Sequence, residues 1–274
     1  LPCQKATAMR ADRWRQLAGA LLALWLVLPL VPLAIWSFAH GWRFPDLLPQ
    51  AWSLKAWAQA LSPASGVLHS LALTTLIALA TTALALVVAL PAGRALGLHA
   101  FRGKRLVLAL ILAPAILPGI ATALGLHGVF LHLGLTGGPT GVILAHLIPT
   151  LPYAVLILTA VFAGFDPEIA AQARSLGARP WQVLRHVTLP AIWPGVLTAA
   201  LFVFLVSWSQ YLLTLAIGGG RVQTLPLTLF SYASAGRNDM TGAIALIYIL
   251  PGIVVLALTA RRVTGGPAAP GLTP

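Results

Sequence analysis

Residues 67–90 read Val67-Leu-His-Ser-Leu-Ala-Leu-Thr-Thr-Leu-Ile-Ala-Leu-Ala-Thr-Thr-Ala-Leu-Ala-Leu-Val-Val-Ala-Leu90, with no Lys, Arg, Asp or Glu. At 1.5 Å per helical residue, a run of about 20 residues crosses the roughly 30 Å hydrocarbon core of a bilayer. This stretch is therefore long enough to be a membrane span. The same test predicts further spans at Leu17 to Phe38, Leu106 to Leu126, Gly141 to Ala163, Ala191 to Ile217 and Met240 to Ala260. The chain reads as an all-α, polytopic transmembrane helix bundle of about six spans. Composition agrees: 59% of the 274 residues are hydrophobic and 8% charged, where a soluble domain has roughly a quarter charged.

A net charge of +12 raises the question of nucleic acid, but the 17 Lys and Arg are dispersed over short segments between apolar runs and form no basic face. Nucleic acid is excluded as a partner. With the amino terminus inside, 13 of these cations fall in the cytoplasmic segments (from Lys5 to Arg15, Arg94 to Arg105, Arg174 to Arg185, and Arg261 with Arg262). Only Arg43, Lys55, Arg221 and Arg237 fall outside. That asymmetry predicts both termini on the cytoplasmic side. Cys3 is the single cysteine, so neither an intrachain disulfide nor a thiolate metal cluster is expected. The first apolar run is too long for a signal-peptide core and is expected to stay as an anchor. Segment 1–16 is assigned to the cytoplasm, the stretch before Met9 is left unassigned, and the Gly- and Pro-rich 264–274 is expected to be a disordered cytoplasmic tail.

Prolines at 29, 32, 114, 118, 149 and 152 fall in or beside spans, where each removes a backbone donor and bends the helix. Two outside segments, Trp42 to Gly66 and Gly218 to Asn238, fit either a membrane-surface position or an external partner.

Several chemistries are missing. All five carboxylates (Asp12, Asp46, Asp166, Glu168, Asp239) lie outside the spans or at their ends, whereas an ion-coupled carrier needs an ionisable group inside. His146 is the deepest ionisable side chain, and alone it reads as a hydrogen-bonded packing group rather than a relay. There is no Gly-x-x-x-x-Gly-Lys-Ser/Thr phosphate loop, no His-Glu-x-x-His and no Gly-x-Ser-x-Gly. The chain itself is expected not to be an enzyme and to bind no metal or cofactor.

One segment between spans is too long and too patterned for a simple turn: Asp166-Pro-Glu-Ile-Ala-Ala-Gln-Ala-Arg-Ser-Leu-Gly-Ala-Arg-Pro-Trp-Gln-Val-Leu-Arg-His-Val-Thr-Leu-Pro190. Asp166 suits a helix N-cap with Pro167 in the first turn, and Gly177 suits a left-handed helix end. A second short helix is predicted from near Pro180 into Leu189-Pro190. Apolar Ile169, Leu176, Trp181, Leu184 and Val187 interleave with Arg174, Arg179, Gln182 and Arg185, which gives each helix a face that docks. A membrane surface and a protein socket both fit that pattern.

This loop resembles the EAA motif of binding-protein-dependent ABC importer permeases, the MetI-like type I family: Glu-Ala-Ala, three residues, Gly, nine residues, Ile-x-Leu-Pro. Gly177 matches the glycine, Val187 stands at the Ile position, and Leu189 with Pro190 closes the pattern. The acidic half departs from it. Ala171-Gln172-Ala173 stand where Glu-Ala-Ala belongs, and Glu168 lies three residues too early to be the motif glutamate. Ser70-Leu71 and Ser207-Trp208 extend the likeness more loosely.

The resemblance implies that 17–263 is a permease domain of the bacterial cytoplasmic (inner) membrane and that 166–190 is its coupling loop. Arg174, Ser175, Leu176, Gly177, Ala178, Arg179, Pro180 and Trp181 would then touch an ATPase. It also implies two ATP-binding subunits carrying ATP and magnesium, a second permease, homologous or identical, and an external solute-binding protein. Ser207, Trp208, Gln210 and Tyr211, with Ser209, form the most polar cluster within a span and are candidates to line the pathway. The chain's proportions and its 219–227 segment are similar to permeases for polyamine, ferric iron, thiamine, sulfate or phosphonate. A self-sufficient carrier or channel is the competing class, and a membrane-embedded enzyme or scaffold a third.

Overall fold

A computed structural model describes residues 14, 16–22, 24–25, 27–42, 46 and 49–264, with backbone alone for 255–264. Most of segment 1–16, and the tail from 265, lie outside the described residues. The helices are α1 Leu30–Phe38, α2 Lys55–Ala60, α3 Val67–Leu98, α4 Lys104–Ile116, α5 Gly119–His132, α6 Pro139–Ala163, α7 Pro167–Ser175, α8 Pro180–Val183, α9 Leu189–Trp208, α10 Leu212–Gly218, α11 Leu225–Ser234 and α12 Asn238–Thr264. Among the described residues three continuous helices are long and apolar enough to cross a membrane: Val67–Leu98, Pro139–Ala163 and Pro180–Trp208.

Contacts divide the chain into two units. One holds the described residues up to Leu68 together with Leu229–Ile253. Here helical residues 16–22, 24–25 and 27 precede a turn at 28–29 and α1, so the first predicted span is interrupted where Pro29 stands. A two-residue antiparallel ribbon pairs Ala39 with Trp52 and His40 with Ala51, a feature the all-α reading did not contain. Arg237 grips Asp239 through two bonds of 3.0 Å and reaches Gln59 at 3.0 Å, tying α2 to the start of α12.

The second unit comprises His69–Thr228 and the residues from Val254 on. Its main core joins three helices: Ala85, Ala89 and Leu96 of α3, Ala154, Val155, Leu158 and Phe162 of α6, and Ile192, Val196, Ala199 and Val203 of α9. Lipid tails are as apolar as these side chains, so close packing rather than water exclusion must hold the helices together. Small residues permit it. A Cβ on Gly93 would sit 2.6 Å from the Cβ of Leu158, and one on Gly97 would sit 2.6 Å from that of Phe162. The Gly-x-x-x-Gly pair thus lets α3 lie directly on α6. At the other end of α3, the Thr74 hydroxyl accepts from the Leu225 amide (2.7 Å) and caps α11, while Ser70 bonds Thr228 at 2.8 Å.

Two predicted spans are corrected. Leu106 to Leu126 is two helices, α4 and α5, meeting at 101°. The corner is Leu117-Pro118, with Leu117 in extended backbone because the proline ring disfavours helical φ/ψ for the residue before it. Ala191 to Ile217 is likewise broken, α9 ending at Trp208 and α10 starting at Leu212.

Substituting Val at Gly93 or Gly97 should cost about 1–3 kcal/mol through overpacking, read as a lowered Tm and a smaller monodisperse fraction of the detergent-purified protein. Ala at exposed Gly125, which has open space around it, should change neither.

Candidate functional site

Loop 166–190 folds as local rules require. The Asp166 side chain accepts from the Glu168 amide at 2.9 Å, capping α7 with Pro167 in the first turn. At the other end Gly177, at φ +88°, ends the helix in a Schellman motif. Its N–H bonds the Arg174 carbonyl (2.9 Å) and the Ala178 N–H bonds the Ala173 carbonyl (3.1 Å). Gln182 Oε1 then accepts from the Arg179 amide at 2.8 Å to start α8. The helix does not stop there as a separate piece. Residues Leu184–Thr188 form a wider π turn that passes straight into α9, with Pro190 in its first turn. Such turns occur often at functional sites.

Within the loop Ala170, Val183 and Thr188 face inward. The larger apolar side chains face out: Leu176 is 89% exposed, Trp181 64%, Ile169 49% and Leu184 38%. Val187 is half-buried and Arg174 folds back on the Ala170 carbonyl. The glycine break therefore presents Leu176 and Trp181 on a cationic loop, exposed among the described residues.

The second candidate region surrounds the break in the fifth predicted span. His146, buried on α6, touches both sides of it: Nδ1 lies 2.9 Å from Ser207 Oγ on α9 and Nε2 lies 3.0 Å from Thr214 Oγ1 on α10. Thr214 donates its only hydroxyl hydrogen to the Gln210 carbonyl at 3.0 Å. Nε2 therefore carries the ring proton and donates to Thr214, while Nδ1 accepts from Ser207. A neutral imidazole meets every demand of this arrangement, in agreement with the packing role read from the sequence.

Gln210 and Tyr211, in the break, open onto a cavity of about 390 Å³. Its walls also include Pro114, Ala115, Leu117, Gly119 and Thr122 at the α4–α5 corner, and Pro149 and Tyr153 near the middle of α6. The breaks in the third and fifth predicted spans meet at this cavity. Of the residues proposed to line a pathway, Ser209, Gln210 and Tyr211 lie in its wall. Ser207 and Trp208 do not: Ser207 is held by His146, and Trp208 stacks on Phe204 with ring centroids 5.6 Å apart. Thr122 and Tyr153 were missed, for neither stands out among apolar neighbours in its own span; only the Pro114 and Pro118 pair hinted at the corner. Among the described residues no group of His, Cys, Asp or Glu is placed to hold a metal.

Comparison with known proteins follows from this geometry. Residues 89–263 match the family described as "Binding-protein-dependent transport system inner membrane component". The chain is 30% identical over 271 residues to the molybdenum transport system permease protein ModB of Mycobacterium tuberculosis, spanning 92% of this chain and 96% of that one. It is 29% identical over 161 residues to the spermidine/putrescine transport system permease protein PotC of Haemophilus influenzae, over 59% of this chain and 63% of PotC. In fold, a chain from a bacterial ABC transporter involved in the import of the acidic polysaccharide alginate superposes with a TM-score of 0.69 at 20% identity, covering 92% of this chain and 97% of its own.

Replacing His146 by Leu should strand the Ser207 hydroxyl and loosen the 209–211 break. Interhelical bonds of this kind are worth about 0.6 kcal/mol each, so the Tm of the purified protein should fall by a few degrees. His146→Gln, which keeps a donor and an acceptor, should recover part of that loss.

Proposed function

Since the chain belongs to the family of binding-protein-dependent transport system inner membrane components, we propose that it couples to a separate ATPase through loop 166–190 and passes a small solute through its own spans. It is an ABC importer permease of the MetI-like fold. The observation that carries the coupling reading is the apolar pair Leu176 and Trp181, left exposed at a glycine break whose geometry the backbone fixes. Bare apolar side chains on a cationic loop are a surface that a protein groove covers at a gain. Glu168 is exposed in the first turn of α7, three residues ahead of the motif position, and it or the second permease would supply the charge contact of the absent glutamate.

In this reading 166–190 lies on the cytoplasmic side with both termini, and two ATP-binding subunits hold ATP and magnesium below it. A second permease, homologous or identical, completes the membrane part. An external binding protein delivers the solute, and closure of the ATPases switches access from one side to the other by biasing two states of the spans. The cargo is not set by membership of the family, because the named relatives carry different solutes. PotC supports polyamine among the charged solutes suggested by the chain's proportions, and molybdenum and alginate lie outside that group.

Affinity purification from native membranes should bring an ATPase with the chain. The double variant Leu176→Ala, Trp181→Ala should reduce that co-isolation tenfold or more while the permease still inserts. A lone chain that transports without any ATPase would favour the self-sufficient carrier instead. Gly177→Val forces a β-branched residue into left-handed backbone at a cost of about 1–2 kcal/mol. It should abolish solute-stimulated ATP hydrolysis in the reconstituted assembly, and unchanged transport would refute the coupling assignment.

A further inference from the structure

We propose that the elbow joining α3 to α4 is a docking site for the headgroup of an anionic phospholipid, in the leaflet at the loop 166–190 end of the bundle. Such a site requires only that these helices meet a bilayer, and it adds a partner that the transport reading does not contain. Between Asp46 and Asp166 the chain has no carboxylate, and of its five cations in that interval four fall within twelve residues: Arg94, Arg102, Lys104 and Arg105. Packing fixes where they stand. Gly97 lies against the end of α6, where a Cβ on it would come 2.6 Å from that of Phe162 and 3.0 Å from the Ala163 amide nitrogen. The elbow is therefore at the same end of the bundle as Asp166 and the loop it begins.

The carboxylates at that end do not neutralise it. Asp166 caps α7, Glu168 is exposed, and among the described residues the ion pair that forms is Arg237 with Asp239, in the other unit. Arg94, Arg102 and Arg105 are exposed, while Lys104 is partly withdrawn, its Nζ donating to the His99 carbonyl at 3.3 Å. α4 then opens with no side-chain cap and no acidic residue in its first turn, which carries Lys104 and Arg105 instead. A helix amino terminus favours negative charge, so cations placed there add to the positive potential of the segment.

The apolar neighbours select the source of the anion. Phe101, Leu106 and Leu110 are 43%, 65% and 65% exposed, and α4 has no buried residue. After Arg105 every residue of that helix is apolar. The outward apolar surface of α4 thus runs up to the arginines and ends there, as it would where hydrocarbon gives way to headgroups. Arginine stems lie along such a surface while the guanidinium stays at the phosphate level, and acyl chains cover Phe101 and Leu106. A free phosphate ion would satisfy the charge and leave those side chains bare. Clusters of Lys and Arg beside a membrane helix draw anionic lipid for the same electrostatic reason.

The test uses the full chain with whatever subunits co-purify, in a non-ionic detergent. Phosphatidylglycerol, or phosphatidylcholine with the same acyl chains, is titrated in and retention is read by native mass spectrometry. Phosphatidylglycerol is expected to be held tenfold or more in preference. That preference should fall about fivefold for each arginine removed in Arg102→Gln and Arg105→Gln, should largely survive in the Arg102→Lys, Arg105→Lys pair, and should be unchanged in Arg221→Gln, which removes a cation from another loop. Equal retention of the two lipids, no change in the glutamine pair, or an equal loss in Arg221→Gln overturns the assignment. Should the glutamine pair fail to insert, Arg105→Gln alone carries the same expectation. Displacement of phosphatidylglycerol by inorganic phosphate, but not by chloride at equal ionic strength, would make this a site for the free ion and refute the lipid. Reduced co-isolation of an ATPase by the glutamine pair, with lipid retention intact, would give the elbow to a protein partner instead.

Discussion

Inside a bilayer no water completes an unmade hydrogen bond, so every backbone or side-chain polar group must find its partner in protein. This constraint governs where the chain is allowed to be irregular. The fifth predicted span stops at Trp208 and resumes at Leu212. Such a gap persists because His146 bonds a hydroxyl on each side of it and Thr214 returns a bond to the Gln210 carbonyl. Thr74 performs a comparable service at the amino end of α11 by accepting from the Leu225 amide. Polar side chains sparse enough to be overlooked in so apolar a sequence thus hold together the places where helices end.

What the sequence made legible was whatever depends on near neighbours. The runs around Leu79, Val155 and Val203 are apolar over whole helical lengths, and each lies in a continuous helix. The Asp166-Pro167 start and the Gly177 stop were readable because caps are decided within four or five residues. The breaks were less so. Pro114 and Pro118 announced a disturbance, but a proline kink and a corner of 101° look the same in one dimension. The 209–211 gap carries no proline at all, and its cause lies on α6, more than sixty positions earlier at His146. For the same reason the sequence grouped Ser207 and Trp208 with Gln210 and Tyr211, although the structure turns the first two into packing and the last two onto the cavity. Adjacent residues at a helix end face different ways, and only the neighbours that claim them decide which.

The loop and the cavity make different physical demands. The loop is built from backbone bonds and leaves its large apolar side chains outward, which suits a surface that must be covered by another protein. The cavity is walled by apolar side chains with a few polar ones among them, of which Thr122 and Ser209 already donate to backbone carbonyls of their own helices.

One feature connects them. From Pro180 to Trp208 the backbone is a single helical stretch of 29 residues, about 43 Å long at 1.5 Å per residue. Trp181 stands at one tip and the 209–211 gap opens at the other. The one backbone stretch thus reaches from the exposed loop to the cavity wall. Its regular winding changes at two points: the π turn at Leu184–Thr188, close to Trp181, and the gap beyond Trp208 that carries Gln210 and Tyr211.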